Sequence, residues 1–86
     1  MKTIYKYQLE TTDQQTITMP VGSEIISLQI QHGVPCIWAK VNTYNEVGDR
    51  TFVTFGTGQP LPENNLEFIG TYQSGQYVFH VFEIVF

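Results

Sequence analysis

Apolar and polar residues alternate along most of this chain, and no window repeats its apolar residues at the 3.6-residue period of an amphipathic helix. Ile, Val, Thr, Tyr and Phe, which favour strands, dominate the alternating segments. Turn-forming residues separate these segments at short intervals. The pattern predicts seven strands, at residues 2–9, 15–19, 24–31, 36–42, 50–56, 66–73 and 76–85.

We therefore predict an all-β protein, built as a compact antiparallel sandwich or partly open barrel of six to seven strands. The 86 residues fit a single domain over positions 1–86, with no repeat, linker or low-complexity tract. Apolar residues make up 42% of the chain and charged residues only 14%, against a typical ~25%. A small domain with so few charges is expected to have part of its surface covered, which predicts a homo-oligomer.

The turn residues also predict a register for part of the sheet. His32-Gly33 has the form of a two-residue hairpin turn, because Gly tolerates a positive φ. This turn predicts the pairs Leu28–Ile37 and Ile26–Ala39. The segment 43–49 predicts a second hairpin, with Asn42 opposite Arg50. The inward face of this meander would carry Ile26, Leu28, Ile30, Ile37, Ala39, Val41, Val53 and Phe55.

The closing segment predicts a third hairpin, with Ser74-Gly75 as its turn and Gly70 opposite Phe79. Its last strand is apolar on both faces, apart from one histidine and one glutamate. Such a strand is expected in the middle of a sheet or at a subunit interface, since an exposed apolar strand promotes aggregation.

The outward face of the meander gives the main candidate site, formed by Trp38, Lys40, Arg50 and Phe52. In a small-ligand site, Trp38 or Phe52 would stack on a flat base while Arg50 and Lys40 hold a phosphate. Tyr44, in the adjoining loop, would add a hydrogen bond. A subunit interface and an ordinary amphipathic surface remain alternatives, because Trp and Arg are enriched in interfaces.

Gly56-Thr57-Gly58 gives a second candidate, a glycine-bracketed loop at the end of a strand. It lacks the Lys-Ser/Thr pair of a phosphate-binding P-loop and the third glycine of a dinucleotide fingerprint. The main interpretation is a turn that ends the strand, and the alternative is ligand contact through exposed backbone amides.

Charge and chemistry exclude several classes of function. The net charge is −4, and the cations are Lys2, Lys6, Lys40 and Arg50. Binding of duplex nucleic acid, which depends on many phosphate contacts, is therefore not expected, whereas a small anion needs only one or two cations. One cysteine and two separated histidines do not suggest a zinc site, and no nucleophile is placed beside a base. We expect no metal, no cofactor and no catalysis.

The compartment is expected to be the cytoplasm. Cys36 is alone, so no disulfide forms within the chain. No stretch approaches the ~18 apolar residues of a membrane span, and no signal peptide is recognised.

Four separated segments, MKTIYKYQLE, PCIWAKV, RTFVTFGTGQPLP and LEFIGTYQSGQYVFHVF, together resemble one family. It is an uncharacterised family of small proteins from phages and prophages, with an Ile-Tyr-Lys-Tyr start and a Gly-Thr-Gly-x-Pro centre. The resemblance implies a phage origin and a role in the host cytoplasm during infection. It implies no activity and no catalytic residues.

Taken together, these observations predict a non-enzymatic binding protein of phage type. The leading hypothesis is an inhibitor of a host antiviral defence process. It would act by binding a host protein or by sequestering a nucleotide signal, which requires no chemistry. The alternative from a different class is a structural or accessory component of the virion.

Overall fold

A computed structural model describes all residues, 1–86, as seven antiparallel strands without a helix. The strands are β1 (Lys2–Gln8), β2 (Gln14–Pro20), β3 (Glu24–Gln31), β4 (Val34–Asn42), β5 (Val47–Gly56), β6 (Leu66–Ser74) and β7 (Tyr77–Ile84). The prediction of an all-β fold is confirmed.

The strands form two sheets, which pack as a sandwich and do not close into a barrel. Sheet A has the order β1-β4-β3, and sheet B has the order β2-β5-β7-β6. Every pairing is antiparallel. The core lies between the sheets, where alternate residues of both inner faces meet. Its buried cluster comprises Leu9, Met19, Ile37, Phe52, Tyr72 and Val81.

The hairpin of β3 and β4 turns where the sequence predicts it. His32 and Gly33 have φ values of 52° and 78°, as a two-residue turn with two positive φ angles requires. The predicted pairing of Leu28 with Ile37 is confirmed.

A β-bulge changes the register farther along this hairpin. The register shifts between Ile25 and Ser27, so that Ile25 and not Ile26 lies opposite Ala39. Ile26 is the extra residue of the bulge and is exposed. Because a shift by one residue exchanges the two faces of a strand, the predicted inward position of Ile26 is wrong.

The predicted hairpin of β4 and β5 does not form, because the two strands belong to different sheets. The connection between them crosses the sandwich, and β5 pairs with β2 and β7. The connection is fixed to the one between β2 and β3. The amide of Val21 donates to the carbonyl of Glu46 at 2.7 Å, and Asn45 Nδ2 donates to the carbonyl of Val21 at 2.9 Å.

This crossing reverses the predicted faces of β5. Phe52 is fully buried in the core, whereas Phe55 lies on the outer face of sheet B. The predicted pairing of Asn42 with Arg50 is wrong for the same reason.

The hairpin of β6 and β7 turns one residue later than predicted, at Gly75-Gln76, so that Gly70 lies opposite Val81 and not Phe79. β7 pairs with β5 on one side and with β6 on the other. The prediction that the closing strand lies inside a sheet is confirmed.

The two sheets approach closely where β3 packs on β6. A Cβ atom built on Gly70 would lie 3.0 Å from the Cβ of Leu28, closer than ordinary van der Waals contact allows. Glycine at this position therefore allows the sheets to close over the core. On β1, Tyr7 packs against the core cluster; burial raises its pKa, and the neighbouring Tyr5 adds to the shift.

Candidate functional site

The structure does not bring the four residues of the main candidate site together. Trp38 and Lys40 lie on the outer face of sheet A, while Phe52 and Arg50 lie on the inner face of sheet B. Phe52 is 0% exposed and takes part in the core cluster. The prediction of a common surface is wrong, because it depended on the hairpin of β4 and β5.

Arg50 is engaged in a structural ion pair. Its Nε donates to Oε2 of Glu83 at 2.6 Å, and its Nη2 donates to Oε1 at 2.7 Å. Its Nη1 donates to the carbonyl of Ser23, which ties sheet B to the start of β3. The hydrogen bonds that Arg50 donates to Glu83 raise the pKa of Arg50 above its usual value. Because Glu83 occupies the Nε–Nη2 edge of the guanidinium, that fork is not free to hold a phosphate.

The outer face of sheet A carries all three lysines of the chain. In the register, Lys6 lies opposite Trp38, Lys2 opposite Asn42, and Lys40 opposite Ile4. Residues directly opposite in an antiparallel pair point to the same side of the sheet. Lys2, Lys6, Lys40 and Trp38 therefore form one surface, which we call the lysine face.

The lysine face is positive although the chain is negative overall. The net charge is −4, yet Glu24 is the one acidic residue whose register position lies on this face. Its carboxylate is 3.4 Å from Lys40 Nζ, with both side chains mostly exposed. Lys6 Nζ donates to Oε1 of Gln31 at 2.8 Å. Two of the three ammonium groups thus have neighbours, but in exposed and exchangeable contacts.

A concavity of about 200 Å³ lies at one end of the lysine face, between Lys2 and Lys40. Its lining residues are Lys2, Gly22, Glu24, Lys40, Val41, Asn42 and Asn45. The donors among them are ammonium and side-chain amide groups, which suit an anion such as a phosphate group.

Tyr44 lies in the loop beside this concavity. Its backbone N–H donates to Asn42 Oδ1 at 3.1 Å, and its side chain is exposed. Tyr44 thus lies in the loop that follows β4, and its predicted hydrogen bond to a ligand stays a prediction.

Gly56-Thr57-Gly58 lies on sheet B, away from the lysine face. β5 ends at Gly56, whose carbonyl accepts a hydrogen bond from the Gln59 amide at 3.0 Å, and Gly58 has a φ of 91°. The interpretation as a turn that ends the strand is confirmed. Thr57 Oγ1 is 2.8 Å from Nε2 of His80, within hydrogen-bonding distance.

Sequence reasoning missed Lys2 and Lys6 as members of the site. The one available signal was that Lys2 and Lys6 are four residues apart in the first strand, so their side chains point to the same side. That shared side becomes part of the site only when β1 is known to pair with β4, and such a non-consecutive pairing has no signature in the local sequence.

The fold and the lysine face define a small β-sandwich with one basic, aromatic sheet surface. The chain belongs to the family described as a domain of unknown function, DUF7352, whose model matches residues 1–85. No curated protein and no solved structure matches the chain. No group of three or more His, Cys, Asp or Glu side chains is placed to hold a metal ion, and no helix could span a membrane.

Proposed function

We propose that this protein is a non-enzymatic binding protein that holds a nucleotide-type anion on its lysine face. The observation that carries the proposal is the placement of all three lysines on the same sheet face as the one tryptophan, in a chain of net charge −4. An arrangement against the overall charge concentrates the attraction for anions on a single surface.

The lysine face offers contacts for two parts of a nucleotide, its base and its phosphate. Trp38 offers an indole on which a flat base can stack, a contact worth about 1–3 kcal/mol per base. The concavity between Lys2 and Lys40 offers donors for a phosphate. Trp38 and Lys40 are two residues apart on β4, so they point to the same side about one nucleotide apart. The ligand would therefore be a short nucleotide.

Duplex nucleic acid fits this face poorly. Tight duplex binding uses about 6–10 phosphate contacts, and the face supplies three lysines. Exposed lysines also lose affinity as salt screens them. The proposal is therefore restricted to ligands with a few phosphates.

The biological setting comes from the resemblance to small phage proteins. In that setting the protein would inhibit a host antiviral process by sequestering a nucleotide signal in the host cytoplasm. A sequestering protein needs affinity and no catalytic groups. Native protein isolated from infected cells should carry nucleotides that mass spectrometry identifies; recovery of virion proteins with it would favour the virion component instead.

The first prediction concerns binding itself. Because Trp38 is the one tryptophan, its fluorescence reports directly on the face. Titration with AMP, GMP and a cyclic dinucleotide should give a saturable change for at least one, while inorganic phosphate should give little, because it cannot stack. The double variant Lys2→Gln/Lys40→Gln should weaken that binding about tenfold, as expected for two exposed charge contacts.

The matched control changes net charge without touching the face. Gln73→Glu/Gln76→Glu also lowers the net charge by two units, by adding two carboxylates at exposed positions in and after β6. It should bind within twofold of the wild type. Equal weakening by both double variants, or no saturable signal with any nucleotide, would refute the proposal.

A second prediction concerns a variant that should bind nucleotide more tightly. Glu24→Gln removes the carboxylate that lies 3.4 Å from Lys40 Nζ and lines the concavity. Because an exposed pair contributes at most about 1 kcal/mol, its removal should tighten nucleotide binding by about two- to fivefold. Weaker binding by this variant would show that Glu24 contacts the ligand as an acceptor and that the anion site lies elsewhere.

The non-enzymatic part of the proposal has its own test. Nucleotide bound by the protein should be recovered unchanged after heat denaturation. Recovery of hydrolysed products would show an enzyme.

A further inference from the structure

The outer face of sheet B carries an aromatic cluster that no other element covers fully. Phe82 lies opposite Val53 on one side and Phe68 on the other. Its ring centroid is 5.9 Å from that of Phe55 and 5.4 Å from that of Phe68, both in edge-to-face geometry. Clusters of this kind are typical of cores and interfaces.

A groove of about 200 Å³ runs between this cluster and the turn that follows β5. Its lining residues are Phe55, Gly56, Thr57, Gly58, Gln59, Leu61, Phe68, His80 and Phe82. His80 is held from both sides, by Thr57 Oγ1 at 2.8 Å and Thr71 Oγ1 at 3.0 Å. No Lys, Arg, Asp or Glu lines the groove.

The size of the groove selects the kind of occupant. Small-molecule sites usually enclose about 300–1,000 Å³. A groove of about 200 Å³ lined by aromatic and neutral groups instead suits one or two apolar side chains of a protein. The equally small concavity of the lysine face, lined by ammonium and amide groups, suits a single phosphate group. Because its walls carry no Lys, Arg, Asp or Glu, a charged partner gains nothing from this face.

The side chains that could fill such a groove lie next to it. Leu61 is 55% exposed and Phe68 is 58% exposed, both at the rim of the groove. A projection and a hollow on the same face complement each other when two copies are related by a twofold axis. This is the geometry of an isologous dimer.

The surface area of the chain is consistent with a covered face. The chain exposes 5676 Å², whereas a monomer of 9.9 kDa is expected to expose about 5,200 Å². The molecule is flat, measuring 40 × 32 × 16 Å, so each broad side can supply the ~800 Å² per partner of a standard interface. The lysine face is the other broad side, and pairing it with itself would oppose three lysines with three lysines.

We propose that a second copy of this chain docks on the outer face of sheet B, with Leu61 and Phe68 of each copy entering the groove of the other. This dimer leaves both lysine faces exposed on opposite sides. The proposal is independent of any nucleotide binding, because the two surfaces belong to different sheets.

Sedimentation equilibrium of the full chain over a range of concentrations tests the proposal. The wild type should shift from 9.9 kDa towards twice that mass as concentration rises. Leu61→Asp places a carboxylate in the apolar contact and should raise the dimer dissociation constant at least tenfold. Leu61 lies in a loop and is exposed, so the variant should keep the far-ultraviolet circular dichroism of the wild type.

The matched control is Val47→Asp, which also replaces an exposed apolar side chain with a carboxylate, at a residue that is 65% exposed and outside the groove. It should dimerise as the wild type does. Phe68→Asp provides a second disrupting variant from the opposite rim. A monomer at every concentration, dimerisation unaffected by both groove variants, or equal dissociation of the Val47 variant would overturn the proposal. Dissociation by Lys2→Gln/Lys40→Gln would do so as well, since it would locate the interface on sheet A.

Discussion

Phe52→Ala is expected to lower the free energy of unfolding by about 3–5 kcal/mol, the range for truncating a buried phenylalanine. Phe52 is fully buried in the cluster with Ile37 and Val81, between the two sheets. The loss combines the transfer energy of the ring with the cavity that it leaves. A domain of 86 residues has little stability to spare, so the variant should be largely unfolded at room temperature.

Urea denaturation followed by circular dichroism measures this effect, and Phe52→Leu provides a variant that stays folded. The leucine variant should lose about 1–2 kcal/mol. Phe68→Ala is the control, because it removes the same ring from a position that is mostly exposed, and in the monomer it should change stability by less than about 1 kcal/mol. A small effect of Phe52→Ala with a large effect of Phe68→Ala would contradict this prediction, because it would place the core against the outer face of sheet B.

Glu83→Gln is expected to have the second largest effect, a loss of about 2–3 kcal/mol. The variant leaves the half-buried guanidinium of Arg50 without its charge partner and keeps one of the two carboxylate acceptors. Breaking a fully buried pair costs about 3–5 kcal/mol, and the partial exposure of this pair reduces that value. Urea denaturation of the wild type and the variant provides the measurement.

Two variants control this result. Glu24→Gln breaks the exposed pair with Lys40 and should change stability by less than about 1 kcal/mol. Arg50→Met/Glu83→Leu removes both charges together and should be much less destabilising than Glu83→Gln alone. If the double variant is as unstable as the single one, the loss comes from packing and the ion-pair explanation fails.

The pH dependence of this pair follows from the direction of the pKa shift. The pKa of Arg50 is raised in the folded state above its ordinary value, chiefly by its hydrogen bonds to Glu83. A raised pKa means that the stabilisation is fully present below the unfolded value and is lost as pH rises through the folded value. The loss caused by Glu83→Gln should therefore be the same at about pH 7 and about pH 10.

Local signals in the sequence were enough for the elements of the fold. Alternation of apolar residues located all seven strands, because the side chains of a strand alternate between its faces wherever the strand pairs. The turn at His32-Gly33 was readable because its positive φ values restrict the residue types. The central position of β7 followed from its two apolar faces.

The candidate site was predicted only in part. Trp38 and Lys40 share a face because they are two residues apart on one strand, which the sequence shows directly. Arg50 and Phe52 were assigned to the same surface by extending a hairpin across the segment 43–49, and the chain instead crosses there to the other sheet. A connection of this length can return beside its own strand or cross the sandwich, and nothing in its local chemistry distinguishes the two.

The sequence by itself determined the seven strands, the alternation of side chains along them and the turn at His32-Gly33. Only the tertiary structure decided which strands share a sheet, and with that the pairing of β1 with β4 and of β5 with β2 and β7. The physical reason is that alternation fixes each strand's two faces relative to each other, whereas the choice of partner depends on contacts between residues far apart in the chain. That choice buried Phe52, paired Arg50 with Glu83 and placed Lys2, Lys6 and Lys40 on one sheet face with Trp38.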